Sequence, residues 1–292
     1  MTNAPTPPAM VPTSELDEIR ELLEQRSAIC FDVSRERFFS NRVNQYLAEN
    51  GESTAAGLLS RIRSSNTEYD RFLQSLLTQE TSFFRYPDVF RVVERVVLPA
   101  LQARKMWDNP RTLRVWSAGC STGEEPYSIG MTILDMLQLP DAWEIEILAT
   151  DISRDALRTA ERGIYAGRSL SGLSPDQLKT HFSPSGAGQQ VKPRLRKLIS
   201  FCHMNLAQAV YVGRMDFIFC MNVLMYFSEE RRNSLLQSFY DTLSPGGYFF
   251  LGHAESLKSS AVKFETAVCG DFQYYVKPTG ALREPSVFGK EL

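Results

Sequence analysis

The stretch Val115–Ser128 reads V-W-S-A-G-C-S-T-G-E-E-P-Y-S. A short apolar strand, Leu113 to Trp116, runs into small residues and two glycines, Gly119 and Gly123, and then into the acidic start of a helix. Small residues where a strand turns into a helix let a ligand press against the backbone, as in the crevice of an open α/β sheet. A pyrophosphate wants bare amides at a helix N-terminus, and Glu124 and Glu125 would repel it. A cationic ligand is favoured instead. S-adenosylmethionine, with a sulfonium and an α-ammonium, is the common cofactor of that kind.

Downstream of Arg111 strand and helix patterns alternate, which predicts a mostly parallel sheet with right-handed crossovers. Strands are expected at Leu113–Ser117, Glu144–Thr150, Asp216–Cys220 and Tyr248–Leu251. Helices are expected at Glu125–Met136, Arg154–Gly163 and Glu229–Leu243, with Pro245-Gly246-Gly247 as a turn before the last strand. Two further strands within Lys263–Lys277 suit an antiparallel hairpin at the sheet edge. The alternation fails between about 170 and 200, which reads as an inserted small β subdomain.

Upstream, residues 14–88 carry only helical spacing, with stripes such as Leu16, Ile19, Leu23 and Tyr69, Phe72, Leu73, Leu76. Ser14 and Asp17 resemble a capping box. The expected organisation is a disordered proline-rich tail over 1–13 and a helical domain over 14–88. A linker helix over 89–110, a cofactor-binding α/β domain over 111–277 and a tail over 278–292 complete it.

The chain has 292 residues, 43% hydrophobic and 23% charged, with a net charge of −2. That charge gives no electrostatic reason to expect nucleic acid. The five cysteines form no C-x-x-C pair and the three histidines show no metal spacing, so no metal is expected and a reducing, cytoplasmic setting is.

Site candidates gather where strands end. Asp151, after the second strand, suits a ribose diol, or else caps the next helix. Asn205 suits an adenine edge with Leu206 on the ring, or is simply a capping Asn. Asn222 follows the strand ending at Cys220, and Tyr226 either approaches a transferred methyl or is a core aromatic. Arg85, in Gln79-Glu80-Thr81-Ser82-Phe83-Phe84-Arg85-Tyr86, pairs with a carboxylate or bridges two domains.

Together T-S-F-F-R, W-S-A-G-C-S-T-G-E-E-P-Y-S, A-T-D-I-S, G-I-Y, F-C-M-N-V-L-M-Y-F and G-H-A-E-S resemble the CheR family of chemotaxis receptor methyltransferases. The resemblance runs from about Glu15 to Val276. It implies an α/β class I S-adenosylmethionine-dependent methyltransferase fold with an N-terminal all-α domain and a small β subdomain. The implied reaction methylates glutamate γ-carboxylates on the cytoplasmic helical domain of a chemoreceptor and leaves S-adenosylhomocysteine. The enzyme is expected to be a monomer that meets the membrane only through that receptor. Carried over by match, the cofactor positions are Gln79, Thr81, Arg85, Glu125, Asp151, Asn205, Leu206, Met221 and Asn222, beside Gly119 in the first turn. Tyr226 matches the tyrosine nearest the methyl, and Arg85 would also hold the acceptor.

Three departures stand out. Met221 replaces the family's usual arginine in F-C-R-N, and Gln79 stands where an asparagine is typical. The stretch Phe182–Phe201 is shorter than in members that dock on a receptor's C-terminal pentapeptide, which predicts docking independent of it. Competing readings are a methyltransferase of a non-motility pathway, a cofactor-binding regulatory module with little turnover, and a nicotinamide oxidoreductase. The last is disfavoured because G-C-S-T-G lacks the G-x-G-x-x-G spacing.

Overall fold

The computed structural model describes residues 11–31, 36–51, 54–77, 80–208, 212–257 and 260–279. Four helices come first: α1 (Thr13–Ser27), α2 (Glu36–Glu49), α3 (Ala55–Ser64) and α4 (Asn66–Leu76). Their apolar stripes meet in one core around Ile19, Leu23, Phe39, Val43, Ile62 and Phe72. The capping box expected at Ser14 and Asp17 does not form. The helix begins one residue earlier, after Pro12, so Ser14 sits inside the first turn and Asp17 pairs with Arg20 at 2.7 Å.

Helices α5 (Pro87–Val92) and α6 (Leu98–Lys105) are joined without a break by a π-helical turn, Val93–Val97. The expected linker is instead a face of the sheet domain. Val89, Val92, Val93, Val97 and Leu101 are buried in the same core as Leu113, Val115 and Phe217.

The sheet domain then runs β1 (Arg111–Ala118), α7 (Glu124–Met136), β2 (Trp143–Asp151) and α8 (Arg154–Arg162). A small excursion follows: β3 (Ile164–Tyr165), α9 (Pro175–His181), β4 (Phe182–Ser185), β5 (Gly188–Val191) and α10 (Pro193–Arg196). The chain returns through β6 (Ile199–His203), β7 (Met215–Cys220), α11 (Glu229–Thr242), β8 (Leu243–Leu251), β9 (Glu265–Cys269) and β10 (Phe272–Val276).

The main sheet has seven strands in the order β6-β2-β1-β7-β8-β10-β9. The first five are mutually parallel, and β10 is antiparallel to both β8 and β9. A separate antiparallel sheet, β3-β5-β4, forms the insertion. It begins at Ile164, upstream of the expected 170, and the segment from Ile199 already belongs to the main sheet. Nor is Pro245-Gly246-Gly247 a turn ahead of a strand. The strand runs through it from Leu243, with a register shift against β7 and Gly246 at φ +71°.

From β1 the chain builds β2 and β6 on one side, then crosses to β7 and β8 on the other. The strand order therefore reverses between β1 and β7, and a crevice opens beyond their carboxyl ends. Phe217, Phe219, Phe249 and Phe250 beneath it are at most 1% exposed. Burying each contributes roughly 1.5–3 kcal/mol, which makes the floor rigid. No helix among the described residues is long and apolar enough to cross a membrane.

Candidate functional site

A cavity of about 380 Å³ lies at this reversal, within the roughly 300–1,000 Å³ typical of small-molecule sites. Thr81, Arg85, Gly119, Glu125, Asp151, Asn205, Leu206, Met221, Asn222 and Tyr226 all line it. Gln79 lies outside the described residues.

The two glutamates of the opening motif part company. Gly123 caps α7 at φ +96°, and a Cβ there would lie 2.7 Å from that of Ala160, so only glycine turns the chain so close to α8. Glu124 then points away from the cavity and accepts hydrogen bonds from Thr122 Oγ1 (2.7 Å) and Ser169 Oγ (2.6 Å), tying α7 to the insertion. Glu125 faces the cavity and accepts one from Ser117 Oγ at 2.6 Å. Of the motif's two carboxylates, one is thus offered to a ligand. Enclosure by protein pushes the Glu125 carboxyl up to about 7, opposed by the Ser117 hydrogen bond and the Arg85 charge. Gly119 is small for an internal reason as well, since a Cβ there would meet Val223 Cγ2 at 2.4 Å.

Asp151 ends β2 with both oxygens engaged: Ser121 N–H donates to one and Ser153 N–H to the other, each at 2.8 Å. Ser153, not Asp151, caps α8 through its own side chain. Each Asp151 oxygen keeps acceptor capacity toward the cavity, as a diol requires. Burial raises its pKa, and the two amides pull the other way. Beside it the buried Ser121 Oγ has no partner among the described residues. Asn205 is already used: its Oδ1 accepts Ala207 N–H at 3.0 Å and its Nδ2 donates to Arg26 O at 3.4 Å. That is the capping alternative. It leaves one amide hydrogen for a ligand, and apolar Leu206 beside it.

Arg85 reaches the rim because its neighbours are pinned. Phe83, 1% exposed, packs edge-on against Tyr165 and Phe182 at 4.9 and 5.4 Å. Phe84 adopts φ +51°, donates its N–H to Ser128 Oγ (3.0 Å) and sets its ring on Phe90. The guanidinium that follows bonds the Glu80 carbonyl and lies 5.2 Å from the Tyr86 ring centre.

Opposite, Met221 is 8% exposed and Asn222 takes the left-handed φ of +60°. Asn222 Nδ2 donates to Tyr86 Oη at 2.7 Å. The Tyr226 carbonyl accepts Cys30 N–H at 2.8 Å, so the helical domain closes over this wall. Two cavity-side residues, Ser121 and Tyr86, escape sequence reasoning as site members, and so does Glu255 behind the Asn222 turn. Glu255 had a signal, an acid just beyond a strand end in G-H-A-E-S, and it accepts hydrogen bonds from the amides of Asn222 and Gly252.

These residues fit S-adenosylmethionine. One buried carboxylate suits its net positive end, Asp151 suits its ribose, the orphaned Ser121 hydroxyl awaits a polar partner, and Leu206 offers an apolar surface to a ring. Comparison with known proteins agrees. The family profile described as CheR methyltransferase, SAM binding domain, matches residues 79–271. Chemotaxis protein methyltransferase 1 of Pseudomonas aeruginosa is 32% identical over 264 residues, covering 88% of this chain and 95% of the relative. The Vibrio parahaemolyticus chemotaxis protein methyltransferase is 34% identical over 265 residues, covering 87% and 94%. That of Escherichia coli K12 is 33% identical over 255 residues, covering 84% and 85%. The chain therefore belongs to the CheR methyltransferase family, with S-adenosylmethionine as its cofactor.

Proposed function

We propose that this chain methylates glutamate γ-carboxylates on the cytoplasmic helical domain of a chemoreceptor, setting sensory adaptation. The observation that carries the reading is the layout of charge. Inside the cavity Glu125 is the carboxylate left for a cation, Asp151 being held by two backbone amides, while the Arg85 guanidinium lies at the rim near Glu80, and among the described residues no histidine lines it. A carboxylate acceptor arrives ionised, so transfer to it needs alignment and exclusion of water rather than a base. When bound, S-adenosylmethionine supplies an electrophilic methyl on a sulfonium, with neutral S-adenosylhomocysteine as leaving group.

The chain's residues divide the remaining work. Glu125 offsets cofactor charge, Asp151 takes the ribose hydroxyls, and Thr81, Asn205, Leu206, Met221 and Asn222 bound the rest of the ligand, with Gly119 giving backbone access. Arg85 steers the incoming carboxylate, a task that falls more heavily on it because Met221 is uncharged. Tyr226 stands beside the methyl and helps keep the acceptor dry.

Docking is read as independent of a receptor pentapeptide. What supports this is the compact β4–β5 hairpin, which turns within Ser185–Gly188. The enzyme is read as a cytoplasmic monomer that approaches the membrane only through its receptor. Met221 favours one second reading, a cofactor-binding regulatory module with little turnover.

The test is transfer of tritiated methyl from S-adenosylmethionine to purified receptor signalling domains with and without their last five residues. Alkali-labile label of equal rate on both supports the reading. Cofactor binding without label favours the regulatory module, and loss of label on truncation overturns pentapeptide independence alone.

A further inference from the structure

The last motif of the chain, Gly252-His253-Ala254-Glu255-Ser256, has no part in the site as drawn so far. Glu255 is partly buried, yet it pairs with no cation among the described residues. Its Oε2 accepts the N–H groups of Asn222 (2.8 Å) and Gly252 (3.0 Å), and its Oε1 accepts that of Met225 (3.2 Å). A partly buried carboxylate that spends its acceptors on backbone amides is organising backbone. The backbone organised is the turn after β7, which carries Met221, Asn222 and Tyr226 into the cavity.

Asn222 is the strained member of that turn, a non-glycine residue at φ +60°. Such a conformation persists only where its surroundings over-determine it. They do so here from three directions. Glu255 holds its N–H, Tyr86 Oη accepts from its side-chain amide at 2.7 Å, and Gly252 leaves room that a Cβ, 2.4 Å from Asn222 Oδ1, would remove. Tyr86 is itself braced by the His253 ring at 5.0 Å, so the same G-H-A-E-S segment backs both arms.

We infer that Glu255 is a positioning residue for the cofactor site, locking the Asn222 turn from behind while Tyr86 locks it from the front. The inference rests on Asn222 being a cofactor contact. It predicts that neither residue need touch the ligand for its loss to weaken binding, because each acts through Asn222.

A double-mutant cycle reads this directly. Isothermal titration of S-adenosylhomocysteine into the full chain is compared for wild type, Asn222→Ala, Glu255→Gln, Tyr86→Phe and the two doubles with Asn222→Ala. Glu255→Gln keeps the size but turns an amide toward N–H groups, and is expected to weaken binding about 10-fold. Tyr86→Phe removes one hydroxyl and is expected to weaken it about 3-fold. In the Asn222→Ala background Tyr86→Phe should cost nothing more, and Glu255→Gln less than its effect alone. Full additivity of both variants, or wild-type affinity in both while Asn222→Ala binds weakly, overturns the inference and leaves the site reading intact. Wild-type affinity in Asn222→Ala itself overturns the site reading and the inference with it. Should Glu255→Gln fail to fold, Glu255→Asp, which keeps the charge but draws it back from the amides, replaces it in the cycle with the same expected loss and the same overturning results.

Discussion

Lowering the pH from 8 to 6 should weaken S-adenosylmethionine binding about tenfold, and Glu125 is the reason. Its carboxyl is pushed up to about 7 by enclosure in the cavity, against the Ser117 hydrogen bond and the Arg85 charge. If only the ionised form attracts the cationic ligand, the apparent Kd carries a factor of one plus the ratio of proton concentration to the acid constant. With a pKa of about 7 that factor is about 1.1 at pH 8 and about 11 at pH 6. The difference is close to ~1.4 kcal/mol. Calorimetric titration at pH 6, 7 and 8 measures it, alongside Glu125→Gln, which should bind weakly and without the slope. S-adenosylhomocysteine keeps the ammonium but lacks the sulfonium, so a flatter slope for it would assign Glu125 to the sulfonium. A pH-independent Kd in the wild type, or the same slope in Glu125→Gln, refutes the reasoning.

The same carboxyl bears on stability with the opposite sense. Its folded pKa is raised, so the folded state binds the proton more tightly, and stability falls as pH rises from the ordinary 4.5 through about 7. Ligand-free Glu125→Gln should therefore unfold later than wild type by about 1–3 kcal/mol at pH 8, the gain fading toward pH 4.5 in denaturant titrations. Asp151→Ala should weaken S-adenosylhomocysteine binding by about 1–3 kcal/mol in calorimetry, and unchanged affinity would remove the ribose assignment. Arg85→Ala should cut methyl transfer far more than cofactor binding, since its side chain is at the rim and 37% exposed. Equal losses would make it a cofactor ligand instead. Phe83→Ala should destabilise the chain by about 3–5 kcal/mol in chemical denaturation, because its ring fills the seam between the cavity edge and the insertion.

Much of this architecture was legible because period and punctuation agree. Val115 and Trp116 run into glycines, and α11 and α8 stop within a residue of where their stripes end. What escaped did so for physical reasons. β6 is flanked by a short connection and is largely exposed toward its end, so its hydrophobic alternation is faint. β3 is two residues long, too short for any periodicity. Pro245-Gly246-Gly247 carries turn chemistry, yet backbone hydrogen bonds between Gly246, Gly247 and Lys277, just past β10, hold it in a bulged strand. In the site, residue type at a strand end was enough to place Asp151 and Asn222 on the cavity wall. It could not divide Glu124 from Glu125, because a helix start turns adjacent side chains by about 100° and only packing decides which faces inward. Glu255 stands visibly beyond a strand end, but its role was hidden for a further reason. Its partners are backbone amides of a turn some thirty positions upstream, and amides carry no sequence signal.

The central claim, that the cavity serves transfer of a methyl to a carboxylate, is tested most directly by the chemical nature of the product. Purified chain is incubated with tritiated S-adenosylmethionine and receptor signalling domain, and the label is challenged with mild alkali. Volatile methanol released from a receptor band, lost in Arg85→Ala, is the predicted result. Label that survives alkali, or none despite tight cofactor binding, would contradict it.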